Sequence, residues 1–229
     1  MTDIIVSQMG ALIDLGGPVV VILLAGSILS LAVILLKIFH FSYAGVGSHR
    51  HSAQAASLWA AGRSREAFDL ASQGRNPAAK TVAEAIALRM TKRIDKEAIE
   101  ERLGRLATEQ LHDLQSGFRF LDAIAQLAPL LGLFGTVLGM IEAFKQLQSA
   151  GNAVDPSILA GGIWVALLTT AVGLAVAMPT SLVLTWLETR VENERVAIQT
   201  LTTDILAGTA LPADVVQRKG LAAEAQLAS

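Results

Sequence analysis

Three long stretches without a single Asp, Glu, Lys, Arg or His dominate this sequence: Leu15–Leu36, Ala123–Ile141 and Pro156–Leu187. A helix needs about 20 predominantly apolar residues to cross the hydrocarbon core of a bilayer, so each stretch can span it. One such stretch can be the core helix of a large soluble protein. Three in a chain of 229 residues have no interior large enough to take them. Only 17% of the residues are charged, against roughly a quarter in an ordinary soluble domain. The expected fold is an all-α membrane protein with three transmembrane helices. The residues ahead of the first stretch, Met1 to Asp14, contain no Lys or Arg. A secretory signal begins with a basic region, so the first stretch reads as a retained span.

Charge placement orients the spans. No Lys or Arg precedes the first stretch, and Lys145 alone lies between the second and third. The segment between the first and second runs from Arg50 through Arg63, Arg65, Arg75 and Lys80 to Arg119, and the tail adds Arg190, Arg195, Arg218 and Lys219. Basic residues resist translocation, so both basic segments are expected in the cytoplasm. The expected layout is a periplasmic interfacial helix at 1–16, spans at 17–39, 121–147 and 157–187, a cytoplasmic helical domain at 40–120, a periplasmic loop at 148–156 and a cytoplasmic tail at 188–229. The net charge of −2 offers no field for nucleic acid. With no cysteine, thiolate metal sites and cysteine nucleophiles are excluded.

Within 40–120, residues 52–73 read as two short helices joined near Gly62, and Asn76-Pro77 reads as a helix start. Apolar residues then recur at Val82, Ile86, Met90, Ile94, Ile99, Leu103 and Leu106, near the helical period. Arg93–Glu97, Lys96–Glu100 and Glu101–Arg105 stand at pairing distance along that helix. No proline interrupts the chain from Ala78 to Ala128, which predicts one helix running into the second span. Unbroken to Leu147, it would be about 105 Å long. The third span is expected to continue inward, with Val191, Ile198, Leu201 and Ile205 at helical spacing. A disordered end is expected after Gly208.

The second and third stretches carry small residues on one face: Gly132, Thr136, Gly139 and Ala143, with Gly135 beside them, and Gly162, Ala166, Thr170, Gly173 and Ala177. Such faces bring helix backbones close, and their hydroxyls can bond across helices. Packing alone would explain them. Thr136 and Thr170, however, sit mid-span on those small faces, and Pro129 and Pro179 each free a backbone carbonyl that needs a partner or a wet cavity. Hydroxyls and carbonyls beside a cavity can coordinate a passing cation.

The segments LAPLLGLFGTVLGMIEAF (127–144) and LAGGIWVALLTTAVGLAVAMP (159–179) resemble the two signature helices of the ExbB/TolQ/MotA proton-channel family. The three-span layout is most like ExbB. The resemblance implies a homopentameric ring of this chain around the single spans of an ExbD/TolR-like partner, with a TonB- or TolA-like protein receiving the work. It implies ions passing an Asp of that partner, opposite threonines that match Thr136 and Thr170. It implies a bacterial inner-membrane protein surrounded by lipid, with no catalysis and no cofactor. Well-known members carry a Glu five residues before the threonine matched by Thr170; here that position is Val165. Glu142 is one candidate to replace it, and pairing with Lys145 at i,i+3 is the other reading of that carboxylate.

His40, His49 and His51 lie just inside the first span, where imidazole needs no metal. Trp59 reads as a packed residue, and Trp164 and Trp186 as interfacial anchors. Two functions compete: an ion-driven motor subunit, serving outer-membrane uptake in the ExbB manner, and a membrane scaffold that packs through the same faces without conducting. An intramembrane protease is set aside, since no His or Asp falls inside a charge-free stretch.

Overall fold

The computed structural model describes residues 2–91, 95–149 and 156–208, all in helices and short connections. The helices are α1 (Thr2–Ala44), α2 (Arg50–Ala60), α3 (Ser64–Gln73), α4 (Pro77–Met90), α5 (Lys96–Gln115), α6 (Phe118–Ser149) and α7 (Pro156–Ala207). Residues 17–44, α6 and α7 are long and apolar enough to cross a membrane, as the charge-free stretches require. The chain is an all-α membrane protein. Lys92, Arg93 and Ile94, most of the expected outer loop, the segment after Gly208 and the side chains of residues 2–16 lie outside the described residues.

Two compact units form, one from residues 1–37 with 117–186, the other from 38–116 with 187–229. In the first, α1 is kinked at Gly17 (φ 63°), ahead of Pro18. Its Val19 and Leu23 are buried with Ala128 of α6 and with Val176 and Ala177 of α7. Further along, Lys37 is buried and its Nζ lies 5.8 Å from the Phe118 ring centroid. Leu130, Leu133, Phe134 and Ile141 of α6 and Leu167, Met178 and Leu182 of α7 face outward. Exposed apolar side chains of this size are at home against lipid tails or other membrane helices.

The second unit is a helical bundle with an alanine-rich core. Ala55, Ala56, Ala67 and Ala71 let α2 and α3 approach closely, and Val82, Ile86, Ile99, Leu103, Leu201 and Ile205 fill the space between α4, α5 and α7. Trp59 packs there as expected, its Nε1 donating to the Ile205 carbonyl at 3.1 Å. Asn76 caps α4, accepting the Ala79 N–H at 2.9 Å, with Pro77 in the first turn. A cap of this type contributes about 1 kcal/mol. Glu194 of α7 is fully buried. Its carboxylate accepts the N–H of Ala78 at 2.9 Å and that of Gly47 at 3.2 Å, and the His49 Nδ1 lies 3.8 Å away. One side chain thus ties the turn after α1 and the amino end of α4 to α7, where backbone N–H groups favour an anion.

The single helix expected from Ala78 to Leu147 is not formed. α4 ends at Met90, and α5 is a separate helix held to it by Arg102, whose guanidinium lies 2.8 Å from Glu84. Lys96 does pair with Glu100, at 3.6 Å. Between α5 and α6 the chain turns at Gly117, whose φ of 81° is open to glycine and costly for other residues. A Cβ there would meet only ordinary contacts with Val33 and Lys37, so the backbone angle, not space, calls for glycine. The third span does continue unbroken to Ala207, with Val191, Ile198, Leu201 and Ile205 all buried.

Candidate functional site: the seam between two spans

Within the first unit, α6 and α7 run antiparallel along a seam of small residues. A Cβ on Gly173 would lie 2.5 Å from the Ala128 carbonyl oxygen. One on Gly132 would lie 3.0 Å from the Thr170 Cα, one on Gly135 would lie 2.6 Å from the Thr169 Oγ1, and one on Gly139 would lie 3.1 Å from the Ala166 Cβ. Gly162 abuts Ala143 even more tightly. Contact at this range leaves no room for larger side chains and brings backbone carbonyls within reach of the opposite helix.

Three threonines meet that seam differently. Thr136 turns its hydroxyl back onto its own helix, donating to the Leu133 carbonyl at 2.6 Å. Thr169, which the sequence reading passed over, donates to the Ala166 carbonyl at 2.7 Å and lies 3.1 Å from the Gly132 carbonyl across the seam. The Thr170 Oγ1 is buried and has no hydrogen-bond partner among the described residues. Leaving a buried hydroxyl unpaired costs about 1–3 kcal/mol, and such a group can both donate and accept. A hydroxyl oxygen of this kind is chemically able to join the shell of a cation. Of the other small-face residues, Gly132, Gly135, Ala166 and Gly173 are buried at the seam. Pro129 is half-buried, Pro179 is exposed, and both sit inside continuous helices.

Beyond Gly139 the seam opens into a cavity of about 360 Å³ lined by Glu142, Gln146, Ser157, Gly161 and Val165. The partner of Glu142 is Gln146, whose Nε2 donates to its Oε1 at 3.3 Å; no ion pair joins it to Lys145 among the described residues. Glu142 and Val165, which the sequence reading linked only by inference, therefore line one space.

Residues 73–200, more than half of the chain, match the profile of the MotA/TolQ/ExbB proton channel family. The chain is 46% identical over 85 residues to the biopolymer transport protein exbB1 of Vibrio cholerae, an alignment covering 37% of each. It is 33% identical over 133 residues to a putative biopolymer transport protein ExbB homolog of Methanothermobacter thermautotrophicus, covering 58% of this chain and 46% of that one. It is 40% identical over 70 residues to the Tol-Pal system protein TolQ of Haemophilus influenzae, covering 31% and 30%. The chain thus spans less than half the length of each of these relatives.

Proposed function

The chain belongs to the MotA/TolQ/ExbB proton channel family, and on that premise we propose that it is the ring-forming subunit of an inner-membrane motor driven by the ion gradient. Five copies surround the single spans of an ExbD/TolR-like partner, and ion flow does work on a TonB- or TolA-like protein, in the service of uptake across the outer membrane. The basic segments face the cytoplasm and the amino terminus faces the periplasm. The gradient suffices as a source: one charge crossing 100 mV releases about 2.3 kcal/mol.

The observation that carries this reading is the buried, unpartnered Thr170 hydroxyl inside a span. A hydroxyl kept unpaired in hydrocarbon is costly, and ion handling gives it a use. Thr136 lies on the facing span and completes the pathway, and Glu142 supplies a carboxylate toward its outer end. Pro129, Gly132, Gly135, Gly139, Ala166, Gly173 and Pro179 shape the helices that line it. The broad outward apolar faces of α6 and α7 support assembly with further copies and lipid.

Val165 favours a second reading, a scaffold that assembles without conducting, because a valine carries no proton. Native mass spectrometry of the chain coexpressed with a single-span, Asp-bearing partner separates the two. The motor reading expects five copies with two partner chains; a ring that never retains a partner has no central carboxylate to move ions and leaves the scaffold.

A further inference from the structure

Arginines gather around the end of α1 and the turn that follows it, in a part of the chain poor in acid. No Asp or Glu occurs from residue 15 to residue 65, nor from 70 to 83. The last turns of α1 carry Phe39 and Tyr43, four apart on one face and 73% and 69% exposed. Arg75, between α3 and α4, holds its guanidinium 5.7 Å from the Tyr43 ring centroid. The next residue, Asn76, donates through its Nδ2 to the Ser48 carbonyl at 3.0 Å, which fixes Arg75 beside the turn. Arg190 of α7 reaches the same turn, since a Cβ on Gly47 would lie 2.8 Å from its Nη1. Arg50 opens α2 two residues after Ser48. The carboxylate that touches this turn, Glu194, is fully buried and accepts two backbone N–H groups. Arg63, Arg102 and Arg195 each have a carboxylate, from Glu66, Glu84 and Glu192. Arg50 and Arg75 are exposed and form no ion pair among the described residues.

We propose that this corner binds the headgroup of an anionic glycerophospholipid, with Arg75 and Arg50 on the phosphate, Tyr43 at the glycerol and an acyl chain along Phe39. The 28 residues from Gly17 to Ala44 cover about 42 Å, against about 30 Å of hydrocarbon, so Phe39 and Tyr43 fall at the boundary and headgroup levels. Guanidinium matches phosphate through paired N–H groups, and tyrosine is at home at the interface. Stacking on Tyr43 holds the Arg75 charge at that level without neutralising it. Basic charge alone would attract any anion; the aromatic face beneath it selects a lipid over a soluble phosphate. The site needs the first span and not the motor reading, whose orientation puts it in the cytoplasmic leaflet.

The test is native mass spectrometry of the purified, delipidated assembly in mild detergent, titrated with dioleoylphosphatidylglycerol or dioleoylphosphatidylcholine. The first lipid bound per chain should be phosphatidylglycerol, retained severalfold better than phosphatidylcholine. Arg75→Gln should weaken phosphatidylglycerol about fivefold, the share of one basic residue at a membrane surface. Adding Arg50→Gln should remove the preference. Arg105→Gln, which takes the same charge from an exposed position on α5, should leave it unchanged. All three arginines are exposed, so the variants should keep the wild-type melting temperature. Soluble glycerol 3-phosphate in large excess should not displace the lipid. Equal retention of the two lipids overturns the inference, and so does an equal loss in Arg75→Gln and Arg105→Gln, which would reflect net charge alone. Displacement by glycerol 3-phosphate also overturns it, leaving a phosphate site without a lipid. Ion flux plays no part in this readout. An assembly that does not conduct but prefers phosphatidylglycerol at this corner keeps the site and loses the motor reading; one that conducts and holds both lipids equally does the reverse.

Discussion

The Thr169 hydroxyl of α7 lies 3.1 Å from the Gly132 carbonyl of α6, while the buried hydroxyl oxygen of its neighbour Thr170 has no hydrogen-bond partner among the described residues. Adjacent residues of one type thus hold different positions, one joining two helices and one left available.

Their valine variants should therefore diverge. Thr169→Val removes an interhelix hydrogen bond at almost constant volume and should cost about 0.6–1.7 kcal/mol. Thr170→Val replaces an unpaired polar group by an apolar one and should be neutral or slightly stabilising. Thermal unfolding in mild detergent, followed by circular dichroism, reads both. A larger loss for Thr170→Val than for Thr169→Val would contradict this assignment.

The glycines should divide by surroundings. A Cβ on Gly173 would intrude on the Ala128 carbonyl, which cannot move without moving α6. Gly173→Ala should cost about 1–3 kcal/mol or more and reduce the yield of assembled protein. Gly26 in α1 has nothing within 4 Å of its Cβ position, and Gly26→Ala should be tolerated, gaining up to about 1 kcal/mol in helix propensity. Yield and melting temperature of the two variants compare them directly.

The spans and the cap at Asn76 were legible because each rests on local chemistry: missing charge and an Asn-Pro start. The turn at Gly117 was missed because proline was taken as the only helix breaker, and a glycine's left-handed φ leaves no trace in hydropathy. Thr169 was missed through register. The small face was traced through Ala166, Thr170 and Gly173, whereas the residues in contact with α6 also include Thr169, three after Ala166 and four before Gly173. Glu194 was lost in a charged run, although it stands in line with the buried Leu187, Val191, Ile198, Leu201 and Ile205. That spacing was its available signal. Its two backbone partners, far away in sequence, could only come from the fold.

Glu194 should matter more than any exposed carboxylate of α7. Glu194→Ala leaves the buried N–H of Ala78 and that of Gly47 without their acceptor, at about 1–3 kcal/mol for each buried group. Glu194→Gln retains one amide oxygen as acceptor and should fall between Ala and wild type. Glu192→Ala, at an exposed position beside Arg195, should change stability by less than about 1 kcal/mol. Thermal unfolding of the three variants gives the order, and equal losses for Glu194→Ala and Glu192→Ala would remove the anchoring role.

The central claim is that the α6–α7 seam moves ions through Thr170. Its most direct test is proton and sodium flux into liposomes containing the chain with its single-span partner, at an imposed potential, for wild type and Thr170→Val. The account predicts potential-driven flux in the wild type and its loss in Thr170→Val, with ring assembly and melting temperature retained. Wild-type flux undiminished in Thr170→Val, or a stable partnered ring that conducts neither ion, would contradict it.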